Sequence, residues 1–243
     1  MPADSPAAPP EAEAPRPARR RDPEQTRRDI LEAAIAEFSE KGFDGGRVDD
    51  IAARTRTTKR MIYYYFGGKE QLYAAVMERM YGGMRDAEQA LNLEALAPLD
   101  ALTRMVEVTF DHHAAHPEFV RLVSVENINE ARIVAASATI RARNAAVIGT
   151  LTKLIDRGER EGVFRPGLDA FDLHVLISAF CFYRVSNRHS LLAIFGRDLS
   201  ESDTVARHRR MITEAVLRYV RPEGAVEGAA PATRPRRQPQ GVG

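Results

Sequence analysis

Apolar residues recur along most of the chain at the i, i+3, i+4 spacing of a helix, and alternating apolar and polar runs joined by Asn-Gly or Asp-Gly turns are absent. An all-α fold is expected. Ile30, Leu31, Ala34, Ile35 and Phe38 form one face of a first helix. Asp22 caps it, since a carboxylate accepts the free N–H groups of a first turn, and Lys41-Gly42 closes it. Two short segments follow, Val48 to Thr55 and Thr58 to Tyr65, each too short to persist alone. After Gly67-Gly68 a long helix starts near Lys69 and passes Met84, with Gly82-Gly83 as the expected place for a bend. Further helices are expected over 98–116, 117–129, 139–161, 170–195 and 201–221.

Proline marks the limits of the ordered region. Ten of the 14 prolines lie in residues 1–22 or 222–243, and the internal Pro23, Pro98, Pro117 and Pro166 mostly stand where a helix starts and a missing N–H costs nothing. The expected organisation is a disordered tail over 1–22, a helix-turn-helix module over 23–68, a helical body over 69–221 and a second disordered tail over 222–243.

Composition excludes more than it identifies. Of 243 residues, 44% are hydrophobic and 28% charged, ordinary values for a globular chain. The lone Cys181 cannot pair internally, and the N-terminus lacks a charged-then-apolar leader, so a reducing, cytoplasmic setting is expected. No apolar run approaches the roughly 18 residues of a spanning helix, so no membrane partner is expected. Net charge is only +1, from 35 Lys plus Arg against 34 Asp plus Glu.

That near-neutral total hides a local patch. Residues 45–69 carry Arg47, Arg54, Arg56, Lys59, Arg60 and Lys69 against Asp49 and Asp50. Within them the run VDDIAARTRTTKRMIYYYFGGKEQL divides into helix, tight turn, helix, glycine turn and helix start, the spacing of a helix-turn-helix. In such a motif the first helix braces the second, whose N-terminal residues face base edges in the major groove. Ile51, Ala52 and Ile62 supply the contact between them.

The first helix, the DIA segment and the run IYYYFGGKEQLYAAV resemble the TetR family of bacterial one-component repressors. The resemblance is close over 24–78 and rests on helix count and length elsewhere, although HPEFVRLVSVEN and Asn187-Arg188-His189 are similar to one branch of the family. It implies that Thr58, Lys59 and Arg60 open the recognition helix and that Tyr64 faces bases or the groove wall. Tyr65 and Lys69 would hold phosphates, and Tyr63 and Phe66 would anchor the helix in the core. Arg47 stands where a capping Ser or Thr is common and Arg56 where the family usually has a turn glycine, and both are read as further DNA contacts. An arginine with positive φ costs of order 1 kcal/mol, which a phosphate contact can offset.

The resemblance also implies a body that dimerises and encloses a small-molecule inducer, in a protein that binds a palindromic double-stranded DNA operator as a homodimer. Candidate ligand residues are Met105, Thr109, His112, His116, Phe119 and Asn127, with Phe180, Tyr183, Asn187 and Leu191 on one face of the 170–195 helix. Ordinary core packing explains the same pattern. For dimerisation, helices 170–195 and 201–221 offer Val175, Ile177, Ala179, Ile212, Val216 and Leu217, which an intrachain core would use equally. His112 and His116 sit four apart, but no third ligand is evident, so neither metal nor cofactor is assigned. Cys181 reads as an inert buried thiol. Two other functions fit less well: an architectural DNA binder using Arg19-Arg20-Arg21 and the C-terminal tail, and a helical enzyme using the His112/His113 region. No P-loop, GxGxxG, GxSxG or zincin spacing supports the enzyme.

Overall fold

A computed structural model describes residues 22–224. The N-terminal Arg19–Arg21 arm and most of both expected tails lie outside these residues. Eleven α-helices and a short 3₁₀ turn are present among them, with no strand.

The module consists of α1 (Pro23–Gly45), α2 (Val48–Thr55) and α3 (Lys59–Phe66). Asp22 Oδ1 accepts the Glu24 N–H at 3.0 Å and starts α1. Gly42, at φ 71° and ψ −179°, breaks the helical path, so regular helix ends at Lys41 and a single turn follows. Next, α4 (Lys69–Gln89) runs unbroken through Gly82-Gly83, where a bend was expected. Close approach explains Gly82: a Cβ there would lie 2.7 Å from Nη1 of Arg143, which reaches across from a later helix to Asp86.

The body adds α5 (Pro98–Ala115), α6 (Pro117–Ile128), α7 (Arg132–Ala136), α8 (Ala138–Arg160), α9 (Ala170–Ser186), α10 (Arg188–Phe195) and α11 (Ser202–Val220). Two elements differ from those that periodicity predicts. The single helix expected over 170–195 is two, because Asn187 leaves the helical region at φ −101° and ψ 6°. Its Nδ2 donates to the Tyr183 carbonyl and to Ser186 Oγ, a local alternative to continuing the helix. The five-residue α7 is not predicted at all, since the buried Glu126 Oε1 that accepts the Ile133 and Val134 N–H groups comes from α6.

Two apolar cores result. One surrounds Phe38, Ile51, Ile62, Leu72, Tyr73 and Met77 and continues into the body through Phe119, Val120 and Leu122 of α6. The other joins α5, α8, α9 and α11 through Leu102, Phe110, Leu151, Leu173 and Val216. Module and body therefore meet on packed side chains of α4 and α6, not across a bare linker.

Candidate functional site

The geometry of α2 and α3 follows from a few satisfied ends. Ile51, Ala52 and Ile62 are buried between the helices. Thr58 is the N-cap of α3, its hydroxyl accepting the Met61 N–H at 3.3 Å. Arg56 ends α2 in the left-handed region, φ 52° and ψ 35°, the conformation its place in the turn implied. Arg47, the N-cap of α2, makes no side-chain cap; its N–H donates to Glu37 Oε1 at 3.1 Å instead.

Glu37 is fully buried, with Lys41 Nζ 2.8 Å from Oε1 and Arg54 Nη2 3.1 Å from Oε2. Lys41 also meets Asp50 at 2.9 Å, and the bonds to Glu37 and Asp50 hold its ammonium above the usual lysine range. One carboxylate from α1 thus fixes the start of α2 and a cation near its end.

The outward face carries the expected residues in unequal states. Tyr64 is 78% exposed, and Arg47, Arg56, Thr58 and Arg60 are exposed as well. Lys59 Nζ lies 3.1 Å from Asp49, an exposed pair that costs little to open. Lys69 Nζ donates to the Asp44 carbonyl at 3.2 Å and sits over the Phe43 ring. Tyr65 is half-buried, its ring edge against Tyr64. Phe66 is buried in the core, whereas Tyr63 is 41% exposed and does not anchor the helix as expected.

In the body, the ligand candidates do not gather in one place. His112 and His116 line a cavity of about 330 Å³ with Glu32 and Ile35 of α1 and Arg79 and Met80 of α4. Their rings lie 4.4 Å apart and His116 Nδ1 is 2.9 Å from Glu118. Burial, then neighbouring His116, pushes His112 down to about 4. Met105 lines a different cavity of about 240 Å³, with Glu88, Leu93 and Val147. Thr109 and Phe119 are buried, the Thr109 carbonyl bonded to His113 Nδ1 at 2.7 Å. Asn127 is exposed and bonds back to the Val123 carbonyl. Phe180 packs against His208 of α11, Tyr183 is exposed, and Leu191 belongs to α10, so the break at Asn187 dissolves the single face expected for these four. Ile177, Ile212 and Val216, candidates for the dimer interface, lie in the intrachain core, while Val175 and Ala179 face outward. Cys181 is buried and its thiol is pushed up to about 12 by burial.

Comparison with known proteins agrees with this arrangement. Residues 30–76 match the family model for bacterial regulatory proteins of the tetR family, and residues 98–216 match the tetracyclin repressor-like C-terminal domain. The HTH-type transcriptional repressor NicS of Pseudomonas putida is 34% identical over 198 residues, 82% of this chain and 93% of that protein. The chain belongs to the TetR family. This TetR-family regulator is also similar to the repressor SCO4008 of Streptomyces coelicolor, at 33% identity over 167 residues, 68% of this chain and 81% of that one. Among solved structures, transcriptional regulator SCO4942 of S. coelicolor has a TM-score of 0.64 at 32% identity, covering 81% of this chain and 99% of that chain. The ketosteroid transcriptional regulator KstR2 of Mycobacterium tuberculosis, at 21% identity and a TM-score of 0.62, shares the fold over 81% of this chain and 95% of that chain. The DNA-binding family model thus spans most of α1, all of α2 and α3 and the start of α4, and the C-terminal domain model runs from α5 through most of α11. Among the described residues, no helix is long and apolar enough to cross a membrane.

The buried polar residues of this TetR-family chain that sequence reasoning missed include Glu37, Arg85 and Glu88. A signal existed. Glu88 continues the apolar stripe of Met77, Met80 and Met84, and Glu37 lies beside Phe38 on that of Ile30 and Ala34, so each places a carboxylate where helical periodicity demands a hydrocarbon.

Proposed function

We propose that this TetR-family regulator is a homodimeric transcriptional repressor that binds a palindromic operator and leaves it when a small molecule enters the body. The observation that carries the reading is the continuity of α4. One helix of 21 residues, roughly 30 Å long, holds Lys69 in its first turn beside the DNA-reading face and Glu88 in its last turn at the edge of the 240 Å³ cavity. A displacement at the cavity end therefore reaches the module as a rigid tilt, without a flexible joint to absorb it. Arg47, Arg56, Thr58, Lys59, Arg60 and Tyr64 would contact the groove and its walls, and Tyr65 and Lys69 the phosphates. Such phosphate contacts position the protein while base contacts specify sequence.

Repression, as opposed to activation, is supported by two relatives named as repressors. Dimerisation is supported by Phe171, Val175 and Tyr183 of α9 and Met211 and Tyr219 of α11, large apolar side chains left exposed on neighbouring helices. The test is fluorescence anisotropy with a duplex from the promoter beside the gene, combined with a metabolite screen by thermal shift. Binding of a two-fold symmetric site that one stabilising metabolite abolishes is the expected result. A monomer that keeps full operator affinity, or a DNA affinity that no stabilising metabolite alters, overturns the reading.

A further inference from the structure

Two charges on α4 have no part in reading DNA. Arg85 is 5% and Glu88 7% exposed, and Arg85 Nη1 donates to Glu88 Oε2 at 2.6 Å. The guanidinium is under-bonded, because among the described residues its Nε makes no hydrogen bond. A guanidinium matches a free carboxylate with two parallel bonds. Its neighbour one turn along the same helix supplies only one. Such a pair is also a poor way to stabilise a core, since desolvating both charges costs as much as their attraction returns or more. Glu88 also lines the 240 Å³ cavity, whose apolar wall is Leu93, Met105 and Val147 and whose other side carries Gln89, Asn92, Thr150 and Glu94, the last with its side chain 86% exposed to solvent. Glu88 therefore borders a cavity with one apolar wall and pairs with an arginine that has an unused donor.

The surroundings leave the arginine's charge to that one carboxylate. Helix α5 brings His112 and His113 near Arg85, and α9 brings His174; burial lowers all three, so they are neutral above pH 7. Tyr81 adjoins Arg85 on α4 and is pushed up by burial, with Glu126 of α6 acting in the same direction. Arg143 of α8 is turned outward to Asp86.

We propose that Arg85 is the receptor for the carboxylate of a small organic acid with an apolar body, and that Glu88 occupies this receptor until the acid displaces it. The proposal rests on the ligand-responsive reading above and adds the chemical class of the ligand. The incoming anion pairs with Arg85 through both bonds while its hydrocarbon part fills the Met105–Val147 cavity. Two ionised carboxylates cannot share one buried cation, so Glu88 takes up a proton from solvent as the acid enters, and the site's net charge is unchanged. Burial already pushes Glu88 up to about 7 against the pull of Arg85. The sign follows. Above pH 7 the free protein carries ionised Glu88 and must bind a proton with the ligand, so affinity falls as pH rises; below pH 7 the proton is already present and affinity is flat.

Calorimetry on the full-length protein tests this with benzoate, phenylacetate and hexanoate as probes and their amides as neutral isosteres, between pH 6 and 8.5. At least one acid should bind, at least tenfold tighter than its amide, and weaken about tenfold per pH unit above 7 with uptake of about one proton. Glu88→Gln should flatten the pH profile and bind the acid about tenfold tighter at pH 8. Arg85→Met should abolish acid binding, and Arg85→Lys, which keeps the charge and loses the fork, should weaken it at least tenfold; circular dichroism checks that each variant is folded. Failure of all three acids to bind, equal binding of acids and amides, or unchanged acid affinity in a folded Arg85 variant overturns the proposal. If a neutral metabolite then releases operator from parent and Arg85→Met alike, the ligand-responsive reading survives without it. If an acid binds as stated yet leaves operator affinity unchanged, the receptor stands and that reading falls.

Discussion

Arg56 and Glu37 illustrate how single side chains shape the DNA-reading module. Arg56 holds a left-handed conformation that a glycine would adopt without strain. Arg56→Gly should therefore leave the unfolding midpoint at or above that of the parent while weakening DNA binding at low salt. Retained affinity at about 50 mM salt, where phosphate contacts count most, would show that the arginine touches no phosphate. Glu37→Ala acts in the opposite way. It orphans the Arg47 N–H and should cost about 1–2 kcal/mol by urea denaturation, with little contributed by the ion pairs, whose cationic ends are exposed. Lys69→Ala should spare stability and weaken binding to all sequences equally, with a salt slope shallower by about 0.9 for each phosphate it no longer neutralises. An unchanged slope would remove Lys69 from the interface. The strained turn at Arg56 was legible because it depends on local spacing and on the resemblance. The role of Glu37 was not, because its partner Arg54 comes from another helix and no local pattern records that meeting.

At the scale of elements, helix positions were readable to within a residue or two wherever apolar periodicity was long, as in α5, α8 and the start of α4. They were not readable where a side chain from elsewhere, or a local bond, decides the outcome. Asn187 divides an apolar run that periodicity alone would continue, and Glu126 of α6 supplies the cap that makes α7 a helix. The ligand candidates suffer most from this, since periodicity places four of them on one face across the Asn187 break. The two glycines of α4 show the same contrast and give a direct test. A Cβ at Gly83 would meet Arg79 and His112 only at 3.8 and 3.9 Å, ordinary contact distances. Gly83→Ala should thus gain about 0.5–1 kcal/mol of helix propensity. Gly82→Ala should gain less, because its Cβ displaces Arg143 from the path to Asp86. Equal shifts in denaturant midpoint for the two variants would show that the Arg143 crossing does not require the glycine.

At the scale of the whole molecule, the shared core of module and body has a thermodynamic consequence. Phe119, Val120 and Leu122 of α6 pack into the same cluster as Phe38 and Tyr73, so a ligand that shifts α4 or α6 cannot leave the module's position unchanged. If the operator selects one tilt of α4 and the inducer another, each must weaken the other's binding by the same factor, because the four binding free energies close a cycle. Couplings of this kind usually amount to roughly 1–3 kcal/mol, or about 5- to 150-fold in affinity. The inducer should therefore bind about 5- to 150-fold more weakly in the presence of saturating operator, and its heat should be measured with and without DNA under identical buffer and salt. On the proposed homodimeric reading, Val175→Arg, which places a charge on the exposed face of α9, should give a folded monomer by light scattering with operator affinity reduced at least tenfold. In that monomer the coupling factor for one half-site should persist, since α4 and the cavity belong to a single chain. Inducer affinities that are identical with and without operator in the dimer would show that cavity and recognition helix are independent, whatever their separate affinities.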